Sequence, residues 1–276
     1  MKGLCRLVGM SRQNHYQTRR ERRVRERRDE EVVRMVDERR REHPRMGCRK
    51  LMALTAPRLR EAGIRIGRDR MFEVLRKHGR LVKRFPRTKR TTQSRHSLPV
   101  FRNEIRDREL TGPNQVWVAD LTYVRIQAGF VFLAVVMDAW SRKIVGHFVG
   151  ESLESIGCQK ALEMALGGLK EGDGRPTHHS DRGSQYCCHA YTAMVRDAGC
   201  KMSMTEEMHC YENAKAERVI GTLKWEYGIE SCFETGEEAR KAVRQGIRAY
   251  NEGRPHNGIG GRIPAEMHEE GRRQAN

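Results

Sequence analysis

Residues 115–124 read Gln115-Val116-Trp117-Val118-Ala119-Asp120-Leu121-Thr122-Tyr123-Val124. Val116, Val118, Thr122 and Val124 alternate with Trp117, Ala119, Leu121 and Tyr123, so the segment reads as a strand that is apolar on both faces. One carboxylate, Asp120, interrupts it. An ionised group in an apolar strand is costly unless it is paired, hydrogen-bonded or bound to a cation. Asp120 is therefore the first candidate for a functional residue.

Downstream, Phe130 to Met137 is a continuous apolar run, the mark of a central strand, and Lys143 to Val149 gives a third. Their short spacing predicts an antiparallel meander. A helix is expected from Ser155 to Lys170, with Ile156, Ala161, Leu162, Ala165, Leu166 and Leu169 on its apolar side. Thr177 to Ser180 predicts a short strand ending at Asp181, Ala190 to Ala198 a helix, Lys201 to Met204 a strand and Asn213 to Tyr227 a helix. This alternation makes the second half parallel. Three antiparallel strands followed by two parallel crossovers describe an α/β fold with a ribonuclease-H-like mixed sheet.

The charge is unevenly spread. Residues 1–95 hold 31 of the 54 Lys and Arg but 11 of the 36 Asp and Glu, a net +20, whereas residues 96–276 are left at −2. A basic N-terminal part on a near-neutral body suits a polyanion, most simply nucleic acid, and the excess of Arg over Lys suits phosphate contacts. Leu4 to Met10 reads as a short helix, Gly9 as a turn, and Ser11 as the cap of a helix that runs through Arg19 to Arg28 towards Val32, Val33, Met35 and Val36. After a break at His43 to Gly47, Cys48 to Glu61 and Arg68 to His78 form two helices around a glycine-bearing connection, closed by Gly79. That pair fits an all-α, helix-turn-helix-type DNA-binding domain over residues 1–80, with Arg68 and Arg70 at the start of the recognition helix. Residues 81–113 are expected to form a basic linker, and residues 114–276 the α/β body with a C-terminal helical tail.

The eight cysteines lack C-x-x-C spacing and are expected as buried or half-buried thiols in a reducing cytoplasm, with no paired ligand spacing for zinc. No apolar run reaches the roughly 18 residues of a membrane span. The sequence also lacks a G-x-S-x-G elbow, a G-x-x-x-x-G-K loop and an H-E-x-x-H pair.

Two further carboxylates join Asp120. Asp181 ends a parallel strand, the edge where open α/β sheets collect ligands, and Glu217 lies on the last core helix, sharing a face with Asn213, Gly221 and Lys224. In the inferred fold all three converge on one sheet edge. Three carboxylates there can hold two Mg2+ ions about 3.5–4 Å apart, with Mn2+ able to substitute.

Several ordered motifs carry a family resemblance. Residues 113–123, His179-Ser180-Asp181-Arg182-Gly183-Ser184-Gln185-Tyr186, Asn213-Ala214-Lys215-Ala216-Glu217 and Thr222-Leu223-Lys224-Trp225-Glu226 closely resemble bacterial insertion-sequence transposases related to retroviral integrase. Tyr250 to His256 and Pro264-Ala265-Glu266 are similar to that family's tail, while Gly47 to Leu51 and His96 to Val100 resemble its N-terminal helices and linker. The resemblance implies a DDE strand-transferase with Asp120, Asp181 and Glu217 as metal ligands. Water cuts a phosphodiester at the element end, and the freed 3′-OH attacks another. It also implies double-stranded DNA as partner, with Arg182, Lys215, Arg218 and Lys224 near phosphates, a homo-oligomer on DNA, an upstream-frame product as fusion partner, and a nucleoid-associated cytoplasmic location. His179 is expected to steady the site's edge or simply to end its strand.

This sequence departs from the family before the catalytic helix. Thr205 to Ala214 carries Glu206, Glu207 and Glu212 where the family is commonly basic, and Arg218-Val219-Ile220 follows the catalytic Glu. These departures open two alternatives to an active transposase: a nuclease on the same fold, and a catalytically weakened or inactive DNA-binding regulator.

Overall fold

A computed structural model describes residue 9 and residues 11–82, 97–206 and 213–275. The helix expected at Leu4 to Met10, part of the linker and most of the acidic loop before Ala214 lie outside these residues. The chain divides into two compact units, Met1–Arg84 and Phe85–Asn276.

In the first unit, helix α1 (Arg12–Arg40) runs unbroken through the arginine run, with Ser11 accepting from the Asn14 N–H at 3.1 Å as its cap. Pairs one turn apart, such as Arg22 with Glu26 at 3.0 Å and Arg34 with Glu38 at 3.1 Å, support so polar a helix. Helices α2 (Cys48–Glu61) and α3 (Arg68–Lys77) pack on its second half around Val32, Val36, Leu51, Leu59, Met71 and Val74. Both end alike. Gly63 and Gly79 adopt positive φ, and the next N–H reaches back to Leu59 O and Leu75 O respectively, satisfying carbonyls that the last turn would orphan.

The second unit is built on one five-stranded sheet in the order β3-β2-β1-β4-β5. Strands β1 (Val116–Ile126), β2 (Gly129–Asp138) and β3 (Ile144–Gly150) are antiparallel, whereas β4 (Thr177–Ser180) and β5 (Lys201–Met204) run parallel to β1. The mixed α/β fold expected from the sequence is the one observed.

β1 is apolar on both faces because helices cover both. Helices α4 (Ser155–Gly167), α5 (Ser184–Cys187) and α6 (His189–Asp197) precede β5, and α7 (Ala214–Glu226), α8 (Gly236–Gly253) and α9 (Pro264–Ala275) follow it. Val116, Val118 and Val124 pack with Val219 and Leu223 of α7 and with Val243 and Tyr250 of α8. Trp117 and Ala119 pack with Cys158 and Leu162 of α4 and with Tyr191 and Val195 of α6. α4 stops at Gly167 rather than Lys170, since Gly167-Gly168 weakens helix continuation.

The entrance to β1 is fixed by polar contacts. Asp138 is fully buried and accepts from Asn114 N, Ser141 N and Ser141 Oγ at 2.6–2.8 Å, while Asn114 Oδ1 accepts from Trp117 Nε1 at 3.1 Å. Ser141 Oγ also lies 3.0 Å from His268 Nδ1, which ties α9 to the β2–β3 turn. Among the described residues, no helix is long and apolar enough to cross a membrane.

Candidate active site

Two of the carboxylates follow paired positions of neighbouring strands. β1 and β4 pair as Val116 with Thr177, Trp117 with His178 and Val118 with His179. Asp120 lies two residues beyond Val118 on β1, and Asp181 lies two residues beyond His179, just past the end of β4. Both are half-buried. Asp120 accepts from the Leu121 N–H at 2.8 Å and Asp181 from the Gly183 N–H at 3.0 Å, so backbone donors orient each carboxylate.

Their fields overlap on the same buried groups. Burial pushes the Cys158 thiol up to about 12; a Tyr186 hydrogen bond opposes the shift, while Asp181 and Asp120 add to it. Burial likewise raises the Tyr186 phenol well above its ordinary value, with both aspartates again contributing. Cys187, raised by burial and then by Asp181, stands at about 11. These thiols stay protonated at neutral pH, so the anionic donors at this edge are oxygens.

Glu217 comes from the other side of β1. The even-numbered residues of β1 face α7, and Asp120 belongs to that set. Asn213, immediately before α7 and buried, donates its side-chain amide to Ala119 O at 3.0 Å, fastening the start of the helix beside Asp120. Glu217 follows one turn later, half-buried, in the first turn, where the helix dipole favours a carboxylate. Among the described residues, no three His, Cys, Asp or Glu side chains are gathered closely enough to hold an ion. Asp120, Asp181 and Glu217 accordingly do not form such a group in this structure.

The basic residues are distributed unevenly. Lys224, half-buried, is lowered by burial, against which Glu230 and Asp120 pull its value up. Arg182 donates Nε to Thr205 O at 2.7 Å, which joins the loop after β4 to the end of β5. Lys215 and Arg218 are exposed on α7. In the first unit, Arg68 is exposed beside Asp69 at 2.9 Å, whereas Arg70 bonds both oxygens of the buried Asp29 at 2.8 and 2.9 Å. Arg70 thereby ties α3 to α1.

His179 is fully buried at the end of β4, its Nδ1 2.9 Å from Ser203 Oγ of β5, and that hydroxyl accepts from Glu104 N at 2.9 Å. Of the acids before α7, Glu206 is paired with Arg106 at 2.8 Å, which offsets part of its charge, and Glu207 and Glu212 lie outside the described residues. Sequence reasoning did not foresee Asn213 as a tether. It also missed the fully buried cluster of His178, Tyr186 and Tyr191 beneath the edge, where Tyr191 Oη lies 2.8 Å from His178 Nε2. An Asn at a helix start was the available signal for the tether; for the cluster there was none, because its aromatics read as ordinary core.

The Integrase core domain family matches this chain in two overlapping stretches, residues 111–210 and 198–264. An insertion element IS600 uncharacterized 31 kDa protein of Shigella sonnei is 42% identical over 214 residues, covering 76% of this chain and 78% of the relative. Transposase InsF for insertion sequence IS3A of Escherichia coli strain K12 is 34% identical over 198 residues, 70% of this chain and 67% of the relative. Among solved structures, the HTLV-2 integrase catalytic core domain in complex with magnesium, trimeric form, aligns with a TM-score of 0.46 at 18% identity, covering 57% of this chain and 97% of that one. A simian T-cell lymphotropic virus intasome in complex with the PP2A regulatory subunit B56 gamma aligns with a TM-score of 0.49 at 16% identity, covering 79% and 73%.

Proposed function

This chain belongs to the bacterial insertion-sequence transposases of the IS3 type with an integrase core domain, and we propose that it cuts and joins DNA at the ends of such an element through Asp120, Asp181 and Glu217. The observation that supports this reading is the pairing of Val118 with His179, two residues before Asp120 and Asp181, together with the bond by which Asn213 holds the start of α7 against Ala119.

The donor set suits a hard divalent cation. Carboxylate oxygens are the ligands Mg2+ prefers, Mn2+ accepts the same set, and the neutral thiols of Cys158 and Cys187 offer nothing to a softer metal. Asp120, Asp181 and Glu217 would hold the ions. Such ions activate the attacking oxygen and stabilise the leaving oxygen of an in-line displacement at phosphorus.

The chain's own residues supply position and charge. Lys224, near Asp120, offers an ammonium to a phosphate at the site; Lys215 and Arg218, exposed on other faces of the same helix, offer further positive charge to the DNA. Water displaces the 3′-oxygen at the element end in the first reaction, and that 3′-OH attacks a second phosphodiester in the next. No covalent protein–DNA bond is required. Several copies assemble on the DNA ends, and the nucleoid is the place of work.

The test uses a labelled duplex ending in the terminal repeat that flanks the gene, with Mg2+ or Mn2+. Joined products are expected. Cleavage without joining would instead make the protein a nuclease, and no chemistry together with intact DNA binding would make it a regulator.

A further inference from the structure

The first unit holds its basic residues in two unlike settings. On α3, Arg70 is bound to Asp29 and Glu73, and Lys77 Nζ lies 3.7 Å from the same Asp29. The expected recognition helix therefore has two of its cations turned towards its own unit's acids.

The first half of α1 is the opposite. Burial along this helix begins at Asp29 and Val32, so residues 13–28 form about 24 Å of helix, at about 1.5 Å per residue, whose side chains are exposed or half-buried. A helix that is polar all round needs ion pairs or a partner to account for it. Arg22 has Glu26. Arg19, Arg20, Arg23 and Arg27 have no acidic partner among the described residues, and their spacing puts all four within about 100° of the helix circumference. Tyr16, 51% exposed, falls in the same sector and adds a hydroxyl.

We propose that this sector of α1, and not α3 alone, is a docking surface for duplex DNA, with the four guanidinium groups set against backbone phosphates. Four like charges on one exposed face repel one another, and a polyanion relieves that repulsion. The guanidinium fork matches phosphate oxygens, and a bare helix is narrow enough for a major groove about 12 Å wide. The inference rests on DNA being the substrate and adds where the N-terminal unit grips it.

The experiment measures binding of the full chain to a short mixed-sequence duplex over a range of salt concentrations. Replacing Arg19, Arg20, Arg23 and Arg27 together by Gln, a good helix former, is expected to flatten the slope of log K against log salt by about 3 to 4, near 0.9 for each phosphate that is no longer neutralised. Circular dichroism should find the helix kept, and Arg23→Gln alone should flatten the slope by about 1. An unchanged slope in variants that keep their helix overturns the proposal and leaves the DNA reading intact. If the unaltered chain shows no salt-dependent duplex binding, the DNA reading itself falls and takes this inference with it. A variant whose sedimentation drops to a smaller species while its slope stays unchanged would assign the face to a second copy of the chain and overturn DNA docking.

Discussion

Asn213 donates its side-chain amide to the carbonyl of Ala119 across 3.0 Å, which fastens the residue before α7 to the strand residue before Asp120. Glu217 lies one helical turn beyond this bond, so its position relative to Asp120 depends on it. Asn213→Ala is expected to lower strand joining on the order of 100-fold through misplacement of the third carboxylate, with duplex affinity little changed. Joining rate and affinity measured on the same preparation separate the two effects. Equal losses in both would assign Asn213 a part in binding.

Arg70→Ala tests whether that residue is structural. Among the described residues, it leaves the buried carboxylate of Asp29 with Lys77 alone, at 3.7 Å, and should lower the stability of the N-terminal unit by about 2 kcal/mol. Urea unfolding followed by circular dichroism reads this loss. Arg68→Ala, at an exposed pair with Asp69, should be nearly neutral in the same measurement.

Gly146 of β3 lies hard against α4. A Cβ there would collide with the Ala161 carbonyl oxygen and lie 2.9 Å from Ala165 Cβ, and neither the backbone nor a methyl group can swing away. Gly146→Ala is expected to cost about 3 kcal/mol by overpacking, seen as a lower midpoint of urea unfolding. Gly167→Ala, with nothing within 4 Å, provides the contrasting variant and should not destabilise.

The sheet was legible where pattern and burial coincide. β1 reads as apolar on two faces because helices lie on both sides of it, and the lone carboxylate stood out against that background. The parallel second half followed from the alternation of strands and helices, and the register pairs Val118 with His179, two residues before Asp120 and Asp181. Helix α5, Ser184–Cys187, is too short to show any period and was not anticipated. The bonds of Asn213 with Ala119 and of His268 with Ser141 join residues 94 and 127 positions apart, a relation that no local pattern encodes. The basic N-terminus was plain in the composition, but only burial distinguished the exposed arginines of α1 from Arg70, which is held by Asp29.

His178 gives the core a pH dependence. Complete burial holds its imidazole down to about 3 from an ordinary 6.5, with His179 adding to the shift, so the folded chain keeps it neutral. As pH falls below 6.5 the unfolded chain takes up this proton first. Its contribution to stability is therefore complete above about 6.5 and is lost progressively as pH falls from there towards about 3. Urea midpoints measured across that window should fall with pH in the parent chain, and the decline should be shallower in His178→Gln.

The most direct measurement is strand joining by Asp120→Asn, Asp181→Asn and Glu217→Gln, each assayed with Mg2+ on a duplex bearing a terminal-repeat 3′-OH. Each substitution removes one anionic oxygen donor while preserving shape. Loss of joined product by at least about 100-fold in all three, with duplex binding retained, is the predicted result. Joining at the parent rate in any one of them would contradict a catalytic site built on these three carboxylates.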